Sequence, residues 1–104
     1  MRIVGGKFKG FRFNPPKGFP SRPTTNFAKE ALFNILEHKT MIPGAKVLDL
    51  CAGTGNVSFE FISRGAESVI AVDKHFKCVQ FMNVLAKKFE VEEEVLIIKS
   101  DVLR

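Results

Sequence analysis

Three aspartates, Asp49, Asp73 and Asp101, and one glycine pair, Gly53 and Gly55, carry most of the chemistry this 104-residue sequence can offer. In "VLDLCAGTGN", Val47 to Asn56, a run of Val and Leu around Asp49 passes at once into Gly53-x-Gly55. Glycines there permit a tight turn over which a nucleotide-like ligand can approach the backbone. Two features separate the candidate ligands: Ser58 stands where a third glycine would complete a dinucleotide fingerprint, and Asp49 lies beside the turn. A dinucleotide would set its pyrophosphate on the next helix N-terminus, where a neighbouring carboxylate repels it. S-adenosylmethionine carries an ammonium and a sulfonium and no phosphate, so the pattern favours this methyl donor over NAD. Asp73, followed by Lys74, stands where an acid commonly accepts both ribose hydroxyls. Asp101 is then placed to accept from the adenine amino group, with Val102 adding a backbone contact. Each acid alone also reads as a solvated strand-end residue; three at successive strand ends form a pattern.

Such a row needs a parallel sheet. "KVLDLC", "SVIAVD" and "EVLIIKSD" read as three strands, separated by helices from Asn56 to Arg64 and from about His75 to Phe89. The order βαβαβ with apolar strands predicts an α/β, doubly wound (Rossmann-like) parallel sheet in strand order 3-2-1. Strand one then lies on an open edge, an apolar flank that invites self-association. Thr24, Thr25 or Asn26 caps an earlier helix reaching about His38, with Phe27, Ala28, Ala31, Leu32, Ile35 and Leu36 expected on its buried face. Val57, Phe61 and Ile62 are expected inside on the next helix, which Gly65 stops, and Phe76, Val79, Met82, Ala86 and Phe89 on the last.

Ahead of these elements, "RIVGGKFKGFRF" alternates loosely between cations and Phe and predicts a small β-hairpin or meander. Residues 1–24 hold Arg2, Lys7, Lys9, Arg12, Lys17 and Arg22 with no acid, a balance of +6, while the rest has 10 basic and 11 acidic residues. A basic arm on a neutral body suits a polyanion, so these six cations are the candidate RNA contacts; a solvated loop is the plainer alternative. The expected organisation is a basic extension over 1–24 and a cofactor-binding unit over 25–104, packed as one body. Asn14-Pro15-Pro16 spells the start of an amino-methylating motif, but Lys17 stands where an aromatic would have to stack. It reads as a turn.

No residue of the chain is assigned a catalytic or metal-binding role. Cys51 and Cys78 lack metal spacing, and Cys51 is expected to be a small buried thiol. His38 and His75 are expected at the surface or at helix ends, and Glu92 to Glu94 form a solvated turn. No stretch is long enough to span a membrane, and reduced thiols without a leader suggest a cytoplasmic protein.

Taken together, "MRIVGGKFKG", "PKG", "RPTTNFAKEALFNIL" and "VLDLCAGTGNVSFEFISRGA" resemble the amino-terminal half of the bacterial 16S ribosomal RNA (guanine-N2)-methyltransferase family, the RsmD-like enzymes. The resemblance implies part of a class I S-adenosylmethionine-dependent methyltransferase sheet, preceded by a hairpin that helps to hold ribosomal RNA or a small-subunit assembly particle. Within its pattern Asp49, Ala52, Gly53, Gly55, Asp73 and Asp101 fall on cofactor positions, as do the adjoining Cys51, Asn56, Lys74 and Val102. Arg22, Pro23 and Thr24 match the segment leading the first helix to the site. Cys51 stands where Phe is common and Asn56 where a small residue is usual, with backbone contacts expected to make both tolerable. The family's Asn/Asp-Pro-Pro-Tyr/Phe motif, which binds the flipped-out guanine, follows a fourth strand and has no counterpart before Arg104. The implied expectation is a truncated chain that binds cofactor but is inactive alone. Rival readings are a non-enzymatic RNA-binding module using the Phe-rich arm, a permuted methyltransferase with Asn14 catalytic, and an NAD-dependent oxidoreductase, the last opposed by Asp49.

Overall fold

A computed structural model of the chain describes residues 1–20 and 24–102. Helix α1, Asn26–Lys39, precedes strand β1, Lys46–Asp49; α2, Asn56–Ser63, leads to β2, Ser68–Asp73; and α3, Phe76–Lys88, leads to β3, Val95–Lys99. The strands are parallel in the order β1-β2-β3, which is the predicted 3-2-1 viewed from the opposite edge. Asp49 pairs with Ala71 and Asp73 with Lys99, so the carboxyl ends of all three strands reach one end of the sheet.

Local chemistry explains the boundaries. Thr25 caps α1, its hydroxyl accepting from the Ala28 N–H at 3.1 Å. Gly55, at φ +82°, occupies the cap of α2 in the left-handed region that suits glycine. After α2, Gly65 at φ +98° lets the Gly65 and Ala66 N–H groups donate back to Ile62 and Phe61, a glycine stop of the predicted kind.

The core lies on one face of the sheet. Phe59 and Ile62 of α2 and Met82, Leu85 and Ala86 of α3 pack there with Val69, Ala71 and Val95. The opposite face is left open by the described residues: Leu48 is 59% and Leu96 57% exposed, with Ile70 between them in register. A helix crossover on each side would cover both faces; β1 to β3 progress in one direction, so right-handed connections place α2 and α3 together on one side.

Three expectations about burial need correction. On α1 the apolar stripe faces out, with Phe27 85% and Ile35 56% exposed, while Lys29 and Phe33 point in. The inward face is chosen by an ion pair with α2 and by Phe33 on Phe61, 4.6 Å between centroids, rather than by apolar count. On α2 Phe59 is fully buried while Val57 and Phe61 are only half-buried, and Phe76 at the start of α3 is exposed. The apolar spacing of these short helices is compatible with more than one face, and tertiary partners select among them.

The amino-terminal arm makes one antiparallel bridge, Arg2 with Arg12, and no full strand. Hydrogen bonds from Ile3 to Phe11, Gly10 to Ile3 and Phe13 to Met1 close it, and the glycine turns interrupt any longer ladder. Its aromatic residues serve the core. Phe8 and Phe11 stack on Phe89 at 4.7 and 4.6 Å, and buried Phe13 meets it edge-on. The arm is therefore tied into the sheet domain rather than appended to it.

Candidate cofactor site

Asp73 is the pivot of the strand ends. Its Oδ2 accepts from the Gly53 N–H and its Oδ1 from the His75 N–H, both at 2.9 Å. One carboxylate thus fixes the glycine turn after β1 and the entry to α3. An ionised carboxylate has about four acceptor sites, so further donors can still be received. The cavity beside it, about 290 Å³, is walled by Leu50, Cys51, Lys74, His75, Asp101 and Val102 as well as Asp73. It is mixed in character, as a nucleoside requires.

A smaller adjoining cavity of about 120 Å³ is lined by Thr24, Asp49, Cys51, Ala52, Gly53 and Asn56, among others, with Cys51 common to both. Asp49 is oriented there by the Ser58 hydroxyl, which donates to its Oδ2 at 2.7 Å. The structure thus gathers nine of the ten sequence-predicted cofactor residues around two cavities that share Cys51. Gly55 is the exception. It lies buried beneath the turn, where an added Cβ would come within 2.7 Å of Phe59 and 2.9 Å of Met82.

Asn56 has a role the sequence concealed. Its side chain is buried, accepting from Lys29 Nζ at 2.7 Å and donating to the Thr24 carbonyl at 2.6 Å. The same ammonium donates to the Arg2 carbonyl at 2.6 Å and pairs with Glu60 at 2.9 Å. Glu60 in turn accepts from the Val4 and Gly5 N–H groups and from Arg64, which reaches out to Glu37. Burial alone would push the Glu60 carboxyl up, yet the donors from Val4, Lys29, Arg64 and Gly5 outweigh it and hold it below its ordinary range. Arm, first helix and glycine turn are joined by this one cluster. A charge set singly among Phe59, Phe61 and Ile62, and Lys29 one turn before Phe33, were the available signals for it.

Of the candidate RNA cations, Lys7, Lys9, Arg12 and Lys17 are exposed and Arg2 is half-buried at the bridge. Arg22 lies outside the described residues. His38 is exposed and its Nδ1 lies 2.7 Å from the Asn34 carbonyl, and His75 stands at the amino end of α3 without a side-chain capping bond, both at a surface or helix end as expected. Among the described residues no cluster of His, Cys, Asp and Glu could hold a metal.

Cys51 is exposed, contrary to expectation, because the turn carries it out between the two cavities. Cys78 is fully buried, and burial together with Asp73 pushes its thiol up to about 11. A disulfide reagent at pH 8 should therefore modify one thiol per native chain rapidly and the second only on unfolding. Peptide mapping after brief labelling should find Cys51, and rapid labelling of Cys78 would contradict the geometry.

A parallel sheet with a glycine turn after β1 and acids at the ends of successive strands defines part of a class I methyltransferase fold. The chain belongs to the family described as conserved hypothetical protein 95, the RsmD-like methyltransferases, whose model matches residues 1–104. It is 35% identical to YlbH of Bacillus subtilis over 104 residues, 100% of this chain and 55% of that protein. It is 36% identical to ribosomal RNA small subunit methyltransferase D of Escherichia coli over 73 residues, covering 70% of this chain and 36% of the other. The solved structure of the Escherichia coli protein yhhF superposes with a TM-score of 0.84 at 26% identity, over 99% of this chain and 54% of that one. The chain thus spans about half the length of its relatives, or less.

Proposed function

We propose that the chain is the cofactor-binding half of an S-adenosylmethionine-dependent methyltransferase that acts on guanine N2 of 16S ribosomal RNA in the cytoplasm. The observation that carries this reading is Asp73, which holds the glycine turn while keeping acceptor capacity toward a nucleoside-sized cavity. The donor and acceptor set fits the methyl donor: Asp73 suits ribose hydroxyls, Asp101 and Val102 the adenine edge, and Asp49 the cationic amino acid end. When bound, S-adenosylmethionine would supply an electrophilic methyl group to an acceptor amine. The chain's own contribution is to orient it and exclude water, while Lys7, Lys9, Arg12, Lys17, Arg2 and Arg22 supply the positive charge that attracts the RNA or assembly particle. The RNA substrate is a reading supported by the printed name of the Escherichia coli relative.

Calorimetry separates this reading from its rivals. Saturable binding of S-adenosylmethionine, no binding of NAD, and loss of about tenfold or more in affinity on Asp73→Asn are expected, since removing a charged acceptor costs roughly 1.5–3 kcal/mol per hydrogen bond. Failure to bind S-adenosylmethionine while RNA is retained would favour the non-enzymatic module. Catalysis without partners is not expected of this chain; it is proposed to bind cofactor and remain inactive alone.

Self-association through the open β1 edge belongs to the same reading. Leu48 and Leu50 are exposed there and Ile70 and Leu96 continue the apolar surface. Sedimentation should show concentration-dependent dimers that Leu48→Lys suppresses. A monomer at all concentrations would refute the association and leave the cofactor reading standing.

A further inference from the structure

A second, more apolar cavity of about 360 Å³ opens between the 16–19 turn and α3, with Lys17, Phe19, Lys77, Gln80, Phe81 and Val84 on its walls. It adjoins the cofactor cavity along the chain: Phe19 lines one and Pro20 the other, and Lys77 lies two residues past His75. A shallower groove extends it along α3, sharing Gln80 and Val84 and reaching Phe76 and Lys87. Phe76 is 63% and Val84 57% exposed, an apolar stripe at helical spacing that none of the described residues covers. Phe19 and Phe81 meet edge-on at 5.3 Å. From Phe76 to Lys88 the helix carries Lys77, Lys87 and Lys88 and no acid, and Lys17 faces it from the turn.

From this geometry we propose that the groove is a nucleotide subsite for single-stranded RNA. It takes a base against Phe19, Phe81 and Val84 and the flanking phosphates on Lys17, Lys77 and Lys87. The inference rests on the reading of the chain as RNA-directed and adds the path of the strand beside the cofactor. Bases present a flat apolar face to aromatic and aliphatic walls while phosphates need cations at the rim, and this groove supplies both. Gln80 offers a donor and an acceptor to a base edge. A second copy of the chain is disfavoured as occupant because it would oppose lysines with lysines. An acidic peptide would use the cations and leave the apolar wall unexplained.

Fluorescence anisotropy of the 104-residue chain with a labelled single-stranded RNA about eight nucleotides long tests the proposal. Lys77→Glu should weaken binding about tenfold and reduce the salt slope, leaving S-adenosylmethionine affinity unchanged. Val84→Ser, which alters no charge, should weaken it severalfold and reduce the quenching of a 2-aminopurine base. Both positions are exposed, so folding should be retained, and circular dichroism checks it. Unchanged RNA affinity in both variants, with loss on Lys7→Glu, would overturn the subsite while the RNA-directed reading stands. No RNA binding by the unmodified chain would overturn both. Poly-glutamate that binds, that RNA does not displace, and that Lys77→Glu releases would overturn it in favour of an acidic protein partner.

Discussion

Glu60→Ala is expected to lower the stability of the chain by about 3–5 kcal/mol, the usual cost of leaving a buried charge without its partner. The substitution strands the Lys29 ammonium, which like Glu60 has no exposed side-chain surface. It also removes the acceptor of the Val4 and Gly5 N–H groups, so the arm loses its seat on α2. Against a total of roughly 5–15 kcal/mol for a domain of this size, such a loss brings the chain close to unfolding. Urea denaturation followed by circular dichroism measures it. A Lys29→Met, Glu60→Leu double variant should recover the part of the loss that comes from the stranded ammonium, because it removes both charges and fills the space, while the Val4 and Gly5 N–H groups still lack their acceptor. A Glu60→Ala variant within 1 kcal/mol of the parent, roughly the scale of an exposed ion pair, would show that the pair is solvated.

The same residue gives the pH dependence a sign. Its carboxyl is held below the ordinary 4.5 in the folded chain. The stabilisation it provides is therefore complete above that ordinary value and is lost as pH falls through the lower folded value. Acid unfolding of the parent should be steeper below pH 4.5 than that of Glu60→Gln, which has no carboxyl there to titrate.

Gly55→Ala is the second large effect, expected at roughly 2–5 kcal/mol from a left-handed residue plus overpacking of the core. The backbone there has φ +82°, and the new methyl would sit 2.7–2.9 Å from the Phe59 ring and the Met82 chain, both buried. Both neighbours belong to the packed core. Because Gly55 supports the turn whose Gly53 N–H is fixed by Asp73, the variant should also weaken S-adenosylmethionine binding, even at temperatures where it is folded. Thermal unfolding and calorimetry read the two effects separately. Unaltered stability would mean that α2 can shift away from α3, contrary to the tight packing described.

Much of the fold was legible along the chain because its signals are local. The strand at Ser68–Asp73 falls on "SVIAVD", and Gly65 ends α2 through backbone geometry that any neighbour would leave intact. The acids at the strand ends followed from the same logic: a parallel βαβαβ order carries every strand's carboxyl end to one side. Side-chain burial was less accessible. The outward turn of Phe27 and Ile35, the exposure of Cys51 and the inward turn of Lys29 depend on partners 20 or more residues away, as in the 27-residue separation of Lys29 and Asn56.

The glycine turn, the periodicity of the elements and the positive charge of the first 24 residues are properties of neighbouring residues, and the sequence determined them. Tertiary structure alone decided that Glu60 gathers the arm onto α2, that Asn56 joins the glycine turn to α1, and that a lysine-rimmed groove opens beside α3. The physical reason is that burying a charge is favourable only where donors from distant segments meet it, and no local pattern encodes that meeting.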